Sequence, residues 1–380
     1  MVLAHSLTQF IIMTLFRKAG WLLLIPLVAA LHCKKSKSKN VEPPGAVEIT
    51  DKVIVSNLNF PWEIVWGPDN FIWMTERGGR VSRVNPTTGT VTPLLNIPDV
   101  VSNNEGGLLG MALHPNFATT PQVFVVYDYN NGSNYREKVV RYTYNGTTLI
   151  NPTILIDNIS ASSIHNGSRL VITPDLKLFV TTGDASDQSL PQNTSALNGK
   201  VLRINLDGTI PSDNPIAGNR YWSFGHRNPQ GLVFANNKLY SSEHGPNNDD
   251  EINIIEKGKN YGWPNVEGFC DGVAEQSFCS ANNVKQPVRN WTPTAAVSGL
   301  DYYNSDLIPQ WKNSLLVAAL KNSRIYQMKL DDSFTSITQT NEYFTNDYGR
   351  LRDICISPEG KVYICTSNGG NDKIVEVSKK

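Results

Sequence analysis

Beyond the first forty-five residues the chain has four histidines: His114, His165, His226 and His244. Each lies in a polar segment between strand-like runs. His165 sits in Ser163-Ile-His-Asn-Gly-Ser-Arg-Leu, just before a strand. An imidazole at the mouth of a channel is a natural general base near neutral pH; capping or packing is the plainer alternative. His114, in His-Pro-Asn-Phe, reads as a turn residue. The stretch Trp222-Ser-Phe-Gly-His-Arg-Asn-Pro-Gln-Gly gathers one cation and two amides into a tight loop. Ser242-Glu-His-Gly-Pro-Asn-Asn-Asp-Asp-Glu places three carboxylates after a Gly-Pro bend. Hard oxygen ligands at such spacing suit Ca²⁺, although the pattern is not that of an EF-hand. Lys321, Arg350 and Arg352 fall at strand starts, and three cations on converging loops suit a ligand with several carboxylates. The alternative is a solvated rim.

Residues so far apart need a scaffold that brings loop ends together. A unit of apolar strand, Pro/Asp/Asn/Gly turn, second strand and third strand can be read six times, over 64–84, 110–144, 170–204, 231–255, 299–328 and 353–377. Repeats of about 40–50 residues with several strands each indicate propeller blades. The expectation is an all-β six-bladed propeller over 46–380, with 47–55 supplying a strand that closes the ring on the last blade. Twenty-eight Gly and 22 Pro spread along the 380 residues favour short strands over long helices.

Charge and cysteine usage indicate the compartment. Lys+Arg and Asp+Glu are equal at 34, so no global basic field invites nucleic acid. Six bases and one acid lie within residues 1–45, leaving a mildly acidic remainder. Residues 21–31 are an uncharged apolar run behind Arg17-Lys18, too short for a span and shaped like an export signal. Residues 1–33 read as a signal or lipoprotein leader and 34–45 as a flexible tether. Cys33 resembles the acylated cysteine of a bacterial lipoprotein; ordinary cleavage after Ala30 is the alternative. The expectation is export to the bacterial cell envelope. Of the remaining cysteines, Cys270 and Cys279 bracket a polar loop, while Cys355 and Cys365 flank a turn. Two disulfides are expected in an oxidising compartment; buried thiols are the alternative for the second pair.

Several motifs together resemble one family. Glu243-His-Gly-Pro-Asn-Asn-Asp-Asp-Glu followed by Asn260-Tyr-Gly-Trp-Pro-Asn-Val, Gly106-Gly-Leu-Leu-Gly, Ser168-Arg-Leu-Val-Ile-Thr-Pro-Asp, Gly225-His-Arg-Asn-Pro-Gln-Gly and Arg350-Leu-Arg-Asp are similar to the soluble glucose/sorbosone dehydrogenases that use pyrroloquinoline quinone (PQQ). The matches run in order over about 53–377. The resemblance implies a six-bladed propeller that oxidises the C1 hydroxyl of aldoses to lactones, with PQQ and Ca²⁺ as cofactors, a small sugar as substrate and a separate electron acceptor.

By the same resemblance His165 is the base, Asp184 supports it, and Arg227 lies near the reactive quinone carbonyl with Asn228 as a further cofactor contact. Lys321, Arg350 and Arg352 grip the PQQ carboxylates. Gly245 and Pro246 offer carbonyls to the Ca²⁺ on the quinone, and Glu251, Tyr261, Glu267 and Asp271 fit a second, structural Ca²⁺. Ile164 and Glu105 replace polar residues that face the sugar in glucose-oxidising relatives, and His244 replaces a Gln at the Gly-Pro bend. Two other classes remain: a ligand-binding propeller without catalysis, and a Ca²⁺-dependent lactonase.

Overall fold

A computed structural model describes residues 45–380. Residues 1–44, which include the expected leader, Cys33 and all but the last residue of the expected tether, lie outside the described residues. Six four-stranded antiparallel sheets make up the fold. Their inner strands are Pro61–Trp66, Leu108–Leu113, Gly167–Ile172, Pro229–Ala235, Val297–Tyr303 and Leu351–Ile356. Each inner strand neighbours the next, and the sixth neighbours the first, so the ring is closed. Closure is by Ile49–Leu58, which pairs antiparallel with Asp372–Lys379 as the outermost strand of the sixth blade.

The fourth strands were not part of the sequence repeat, and their composition explains it. Val91–Asn96, for example, alternates weakly and leaves half its residues exposed. Inner strands carry apolar runs buried on both faces, whereas outer strands need only one partner. The core is accordingly divided among the blade interfaces. Trp73, Val81 and Leu94 of the first blade pack on Leu108, Met111 and Val123 of the second. Val55, Ile72 and Met74 pack on Cys355, Tyr363 and Ile374 where the sixth blade meets the first. The junction of blades three and four holds the smallest buried cluster: Phe179, Val201, Leu232, Leu239, Ile255 and Tyr261.

One of the two expected disulfides is present. Cys270 and Cys279 are bonded, with Cα atoms 6.4 Å apart, and tie a loop to the short helix Val273–Asn282. Cys355 and Cys365 are free and buried. Cys355 lies opposite Tyr363, and Cys365 opposite Asp353, so the two cysteines are diagonal rather than facing. Diagonal neighbours sit about 7–8 Å apart, beyond the usual reach of a disulfide.

A further feature repeats six times. The pairing of every inner strand with its neighbour shifts register near the strand's start, for instance between Gly167 and Leu170, Pro229 and Gly231, and Leu351 and Asp353. Such bulges bend a strand and re-aim its side chains. Because neighbouring strands are antiparallel, the start of each first strand lies beside the end of the second. Residues flanking these two points collect on one face of the ring.

Candidate active site

That face holds nearly all the residues singled out in the sequence. His165 precedes the inner strand of blade three and Asp184 follows its second strand. His165 Nδ1 lies 2.9 Å from Asp184 Oδ1. Asp184 is buried, and its Oδ1 also accepts Ser186 N at 2.7 Å while Oδ2 accepts Trp263 Nε1 at 2.9 Å. The carboxylate is thus held by three donors. Its acceptor character puts the proton on Nδ1 and leaves Nε2 with a free lone pair. The backbone at His165 has φ +62°, uncommon for a residue with a Cβ. It is fixed by Ala185 N donating to His165 O at 3.0 Å. Gly183 makes this approach possible, since a Cβ there would lie 1.9 Å from His165 O. On the other side Glu105 Oε2 lies 3.4 Å from His165 N.

Arg227 and Asn228 bridge blades three and four. Asp184 N donates to Arg227 O at 2.8 Å, His244 N to Asn228 O at 3.2 Å, and Gly167 N to Asn228 Oδ1 at 3.1 Å. The Arg227 guanidinium donates to His244 O at 3.1 Å and lies 5.3 Å from the Trp263 ring centroid. Its main-chain N–H is held by Glu243. Burial pulls the Arg227 guanidinium down from its ordinary value. Burial chiefly, with the charges of Arg352 and Arg227, drives the His244 imidazole down to about 3, so it is neutral.

The three expected cations differ. Arg352 is buried, donates to Gln230 Oε1 at 2.6 Å and Ser298 Oγ at 3.1 Å, and lies 5.7 Å from the Trp62 ring. Burial lowers it to about 10, which still leaves it charged at neutral pH. Arg350 is exposed and acts on Arg352 through its charge. Lys321 donates to Thr294 Oγ1 at 3.1 Å at the same rim.

Four buried polar atoms in this cluster have no partner: Arg227 Nε, Asn228 Nδ2, His244 Nε2 and Arg352 Nε. Buried polar atoms left unpaired are costly, so the cluster is shaped to receive a polar group. A polyanionic, carbonyl-bearing cofactor fits this donor set.

A small cavity beside it is lined by Arg227, Gly245, Pro246, Glu251, Tyr261 and Glu267, together with Glu243 and Asp249. Burial, and then the charge of Glu243, pushes the Glu251 carboxyl well above its usual range. Such an excess of buried carboxylate fits a cation. Among the described residues, however, no three His, Cys, Asp or Glu side chains are grouped as a metal site. Main-chain carbonyls would have to complete the coordination. Gly245 serves the bend, because a Cβ would meet Asn248 O at 1.9 Å. Asp271 is exposed and does not line the cavity; it sits at the disulfide loop, one residue past Cys270.

Sequence reading gave no role to Trp263, Glu243, Gln230 or Ser298. Trp263 stood inside a quoted motif, but nothing in a linear string reveals that its indole meets Asp184. His114 and His226 are structural: the first caps Asn116 N at 3.1 Å, and the second sits between Ser223 Oγ at 2.8 Å and Glu243 Oε2 at 2.9 Å.

Comparison with known proteins agrees with this geometry. Residues 58–375 match the family model described as glucose/sorbosone dehydrogenase. The chain is 36% identical to quinoprotein glucose dehydrogenase B of Acinetobacter calcoaceticus, over 89% of this chain and 87% of that protein. It is 32% identical to the aldose sugar dehydrogenase YliI of Escherichia coli, over 89% and 94%. The PQQ-bound aldose sugar dehydrogenase of Streptomyces coelicolor superposes with a TM-score of 0.76 at 31% identity, covering 89% of this chain and 99% of that one. The apo-form E. coli enzyme gives 0.80 at 31% identity, over 88% and 100%. The chain therefore belongs to the glucose/sorbosone dehydrogenase family, as an oxidoreductase built on a six-bladed propeller.

Proposed function

We propose that this chain is a PQQ- and Ca²⁺-dependent dehydrogenase that oxidises the C1 hydroxyl of aldoses to lactones. The observation that carries the reading is the His165–Asp184 pair, set against a ring of unpartnered polar atoms from Arg227, Asn228, His244 and Arg352. PQQ, when bound, would supply an electrophilic carbonyl as hydride acceptor, and Ca²⁺ would supply Lewis acidity. His165 Nε2 takes the C1 hydroxyl proton, and Asp184 stabilises the resulting imidazolium and holds the ring's orientation. Arg227 presents fixed positive charge where negative charge develops. Lys321, Arg350 and Arg352 would hold the cofactor carboxylates. Gly245 and Pro246 would present carbonyls to the Ca²⁺ of the cofactor, and Glu251, Tyr261 and Glu267 would hold a second ion.

The names of the relatives and the PQQ-bound neighbour support this reading. The test is reconstitution of purified protein with PQQ and Ca²⁺, a panel of aldoses and a dye acceptor. Dye reduction with stoichiometric lactone is expected; no reduction with any aldose would overturn the assignment. Because Ile164 removes a polar sugar contact, several aldoses should react within about tenfold of one another, one lost neutral hydrogen bond being worth about 0.5–1.5 kcal/mol.

We also propose export to the bacterial cell envelope with a lipid anchor on Cys33. The Cys270–Cys279 disulfide supports an oxidising compartment. Cys33→Ser should move the protein from the membrane to the soluble fraction; unchanged partition would contradict the anchor.

A further inference from the structure

Trp263 touches both halves of the candidate site. Its indole N–H donates to Asp184 Oδ2 at 2.9 Å, and its ring face lies 5.3 Å from the Arg227 guanidinium. It is itself pinned on three sides. Its main-chain N–H donates to Gly225 O at 3.0 Å, its main-chain carbonyl accepts Gln192 Nε2 at 2.7 Å, and its side chain is buried. Gln192 and Asn260 exchange amide hydrogen bonds at 3.0 and 2.8 Å. Loop 185–199, which carries Gln192 and begins directly after Asp184, is clamped from below. There the buried Lys200 Nζ donates to Leu190 O at 3.0 Å, Pro191 O at 2.9 Å and Asn198 O at 2.6 Å.

We propose that Trp263 is a positioning residue that sets the basicity of the His165–Asp184 pair and keeps that pair in register with Arg227, with Gln192 and Lys200 as its anchors. The inference rests on the reading of His165 as the base. Its physical content is a division of charge. The Trp263 N–H takes part of the electron density of the Asp184 carboxylate, leaving less to hold a proton on His165. Without it, Asp184 would grip the imidazolium more firmly, and the base form would appear only at higher pH. The other charges and titratable groups around His165 are Glu105 at its main-chain N–H, Arg227 behind Asp184, and the neutral His244. None of them replaces a donor on Asp184 Oδ2.

Trp263→Phe keeps the ring under Arg227 and deletes only the N–H. In cofactor-free protein, the titration of the His165 ring followed by ¹H–¹⁵N NMR should move to higher pH by about half a unit to one unit, a fraction of the roughly one to two units a whole charge-assisted hydrogen bond represents, because the change reaches the ring through Asp184. In reconstituted enzyme the acid limb of kcat/KM should move the same way, so that rates on that limb fall about three- to tenfold while the alkaline plateau is nearly unchanged. In an Asp184→Asn background Trp263→Phe should add no further loss. Gln192→Ala, which frees the Trp263 carbonyl, should shift the His165 titration in the same direction by less, and it decides the matter if Trp263→Phe does not fold. An unmoved His165 titration in the folded variants would overturn the inference even with an active wild type. A wild type that oxidises no aldose would overturn the functional reading instead, whatever the NMR result.

Discussion

The two walls of the candidate site are built differently. On the wall formed by blades three and four, His165, Asp184, Trp263, Arg227 and Asn228 form one connected hydrogen-bonded frame. On the wall formed by blades five and six, only Arg352 is fixed by neighbours. Arg350 is exposed, and Lys321 reaches a single threonine. Under the proposed function, the difference separates the groups assigned to chemistry from those assigned to hold a ligand. A base must be held to a fraction of an ångström before the substrate arrives, whereas a cation at the rim can close onto a carboxylate as it binds. The same division appears in the packing. The junction of blades three and four has the smallest apolar cluster, and the hydrogen-bonded frame crosses that junction.

The comparison breaks most sharply at His165. His165→Ala should cut the single-turnover rate of PQQ reduction by about 10²–10⁴, the usual cost of a lost general base, with PQQ affinity within about threefold of wild type. Asp184→Asn should lower the same rate by a smaller factor, because the base remains but its orienting charge is gone. Unchanged rates in both variants would move the base elsewhere.

The opposite wall should respond in affinity. Arg352→Ala is expected to weaken PQQ binding by at least about tenfold and to lower the Tm, since Gln230 and Ser298 lose a buried partner. Arg350→Ala and Lys321→Ala should weaken binding without moving the Tm. Titration of PQQ and thermal melts of the apo variants measure both. Equal Tm losses in all three would erase the distinction between fixed and waiting cations.

Chelation probes the cavity beside the frame. A strong chelator should abolish activity, lower the Tm by a few degrees, and be reversed by Ca²⁺. Activity and Tm indifferent to the chelator would remove the metal from the account.

The smallest effect lies in blade two. Asp128 and Glu137 face each other across neighbouring strands, fully buried, each with one oxygen lacking a partner. Burial pushes both carboxyls above their usual range. The folded state therefore binds more protons than the unfolded chain above about pH 4, and stability falls as pH rises through that window. The Tm should decline from about pH 5 to 8, and Glu137→Gln should flatten the decline. A Tm that rises over that range would contradict the assignment.

Blade number, ring closure and most site positions were legible in the sequence because each left a local mark. Inner strands are apolar runs, their turns carry Pro, Asp, Asn and Gly, and the site residues flank strand starts. The outer strands left a weaker mark, since half-exposed strands such as Val91–Asn96 resemble loops. The pairing of Cys355 and Cys365 was misjudged because register is a property of two strands, and turn length alone did not reveal the diagonal offset. The family resemblance places Asp271 in the cation site, but the residue is exposed and does not line the cavity. The role of Trp263 was invisible for the same reason as the offset. Its partner is 79 residues away, and only the closed ring brings them together.

The central claim is that C1 of an aldose gives up a hydride in a site where His165 removes the adjacent proton. Its most direct test is single-turnover reduction of PQQ in the reconstituted, Ca²⁺-loaded wild type, with protiated and C1-deuterated aldose, followed by absorbance. Reduction by the sugar alone is expected, with a primary isotope effect from C1. Reduction at identical rates with both sugars would show that the C1–H bond is not broken in the measured step, and no reduction by any aldose would contradict the claim itself.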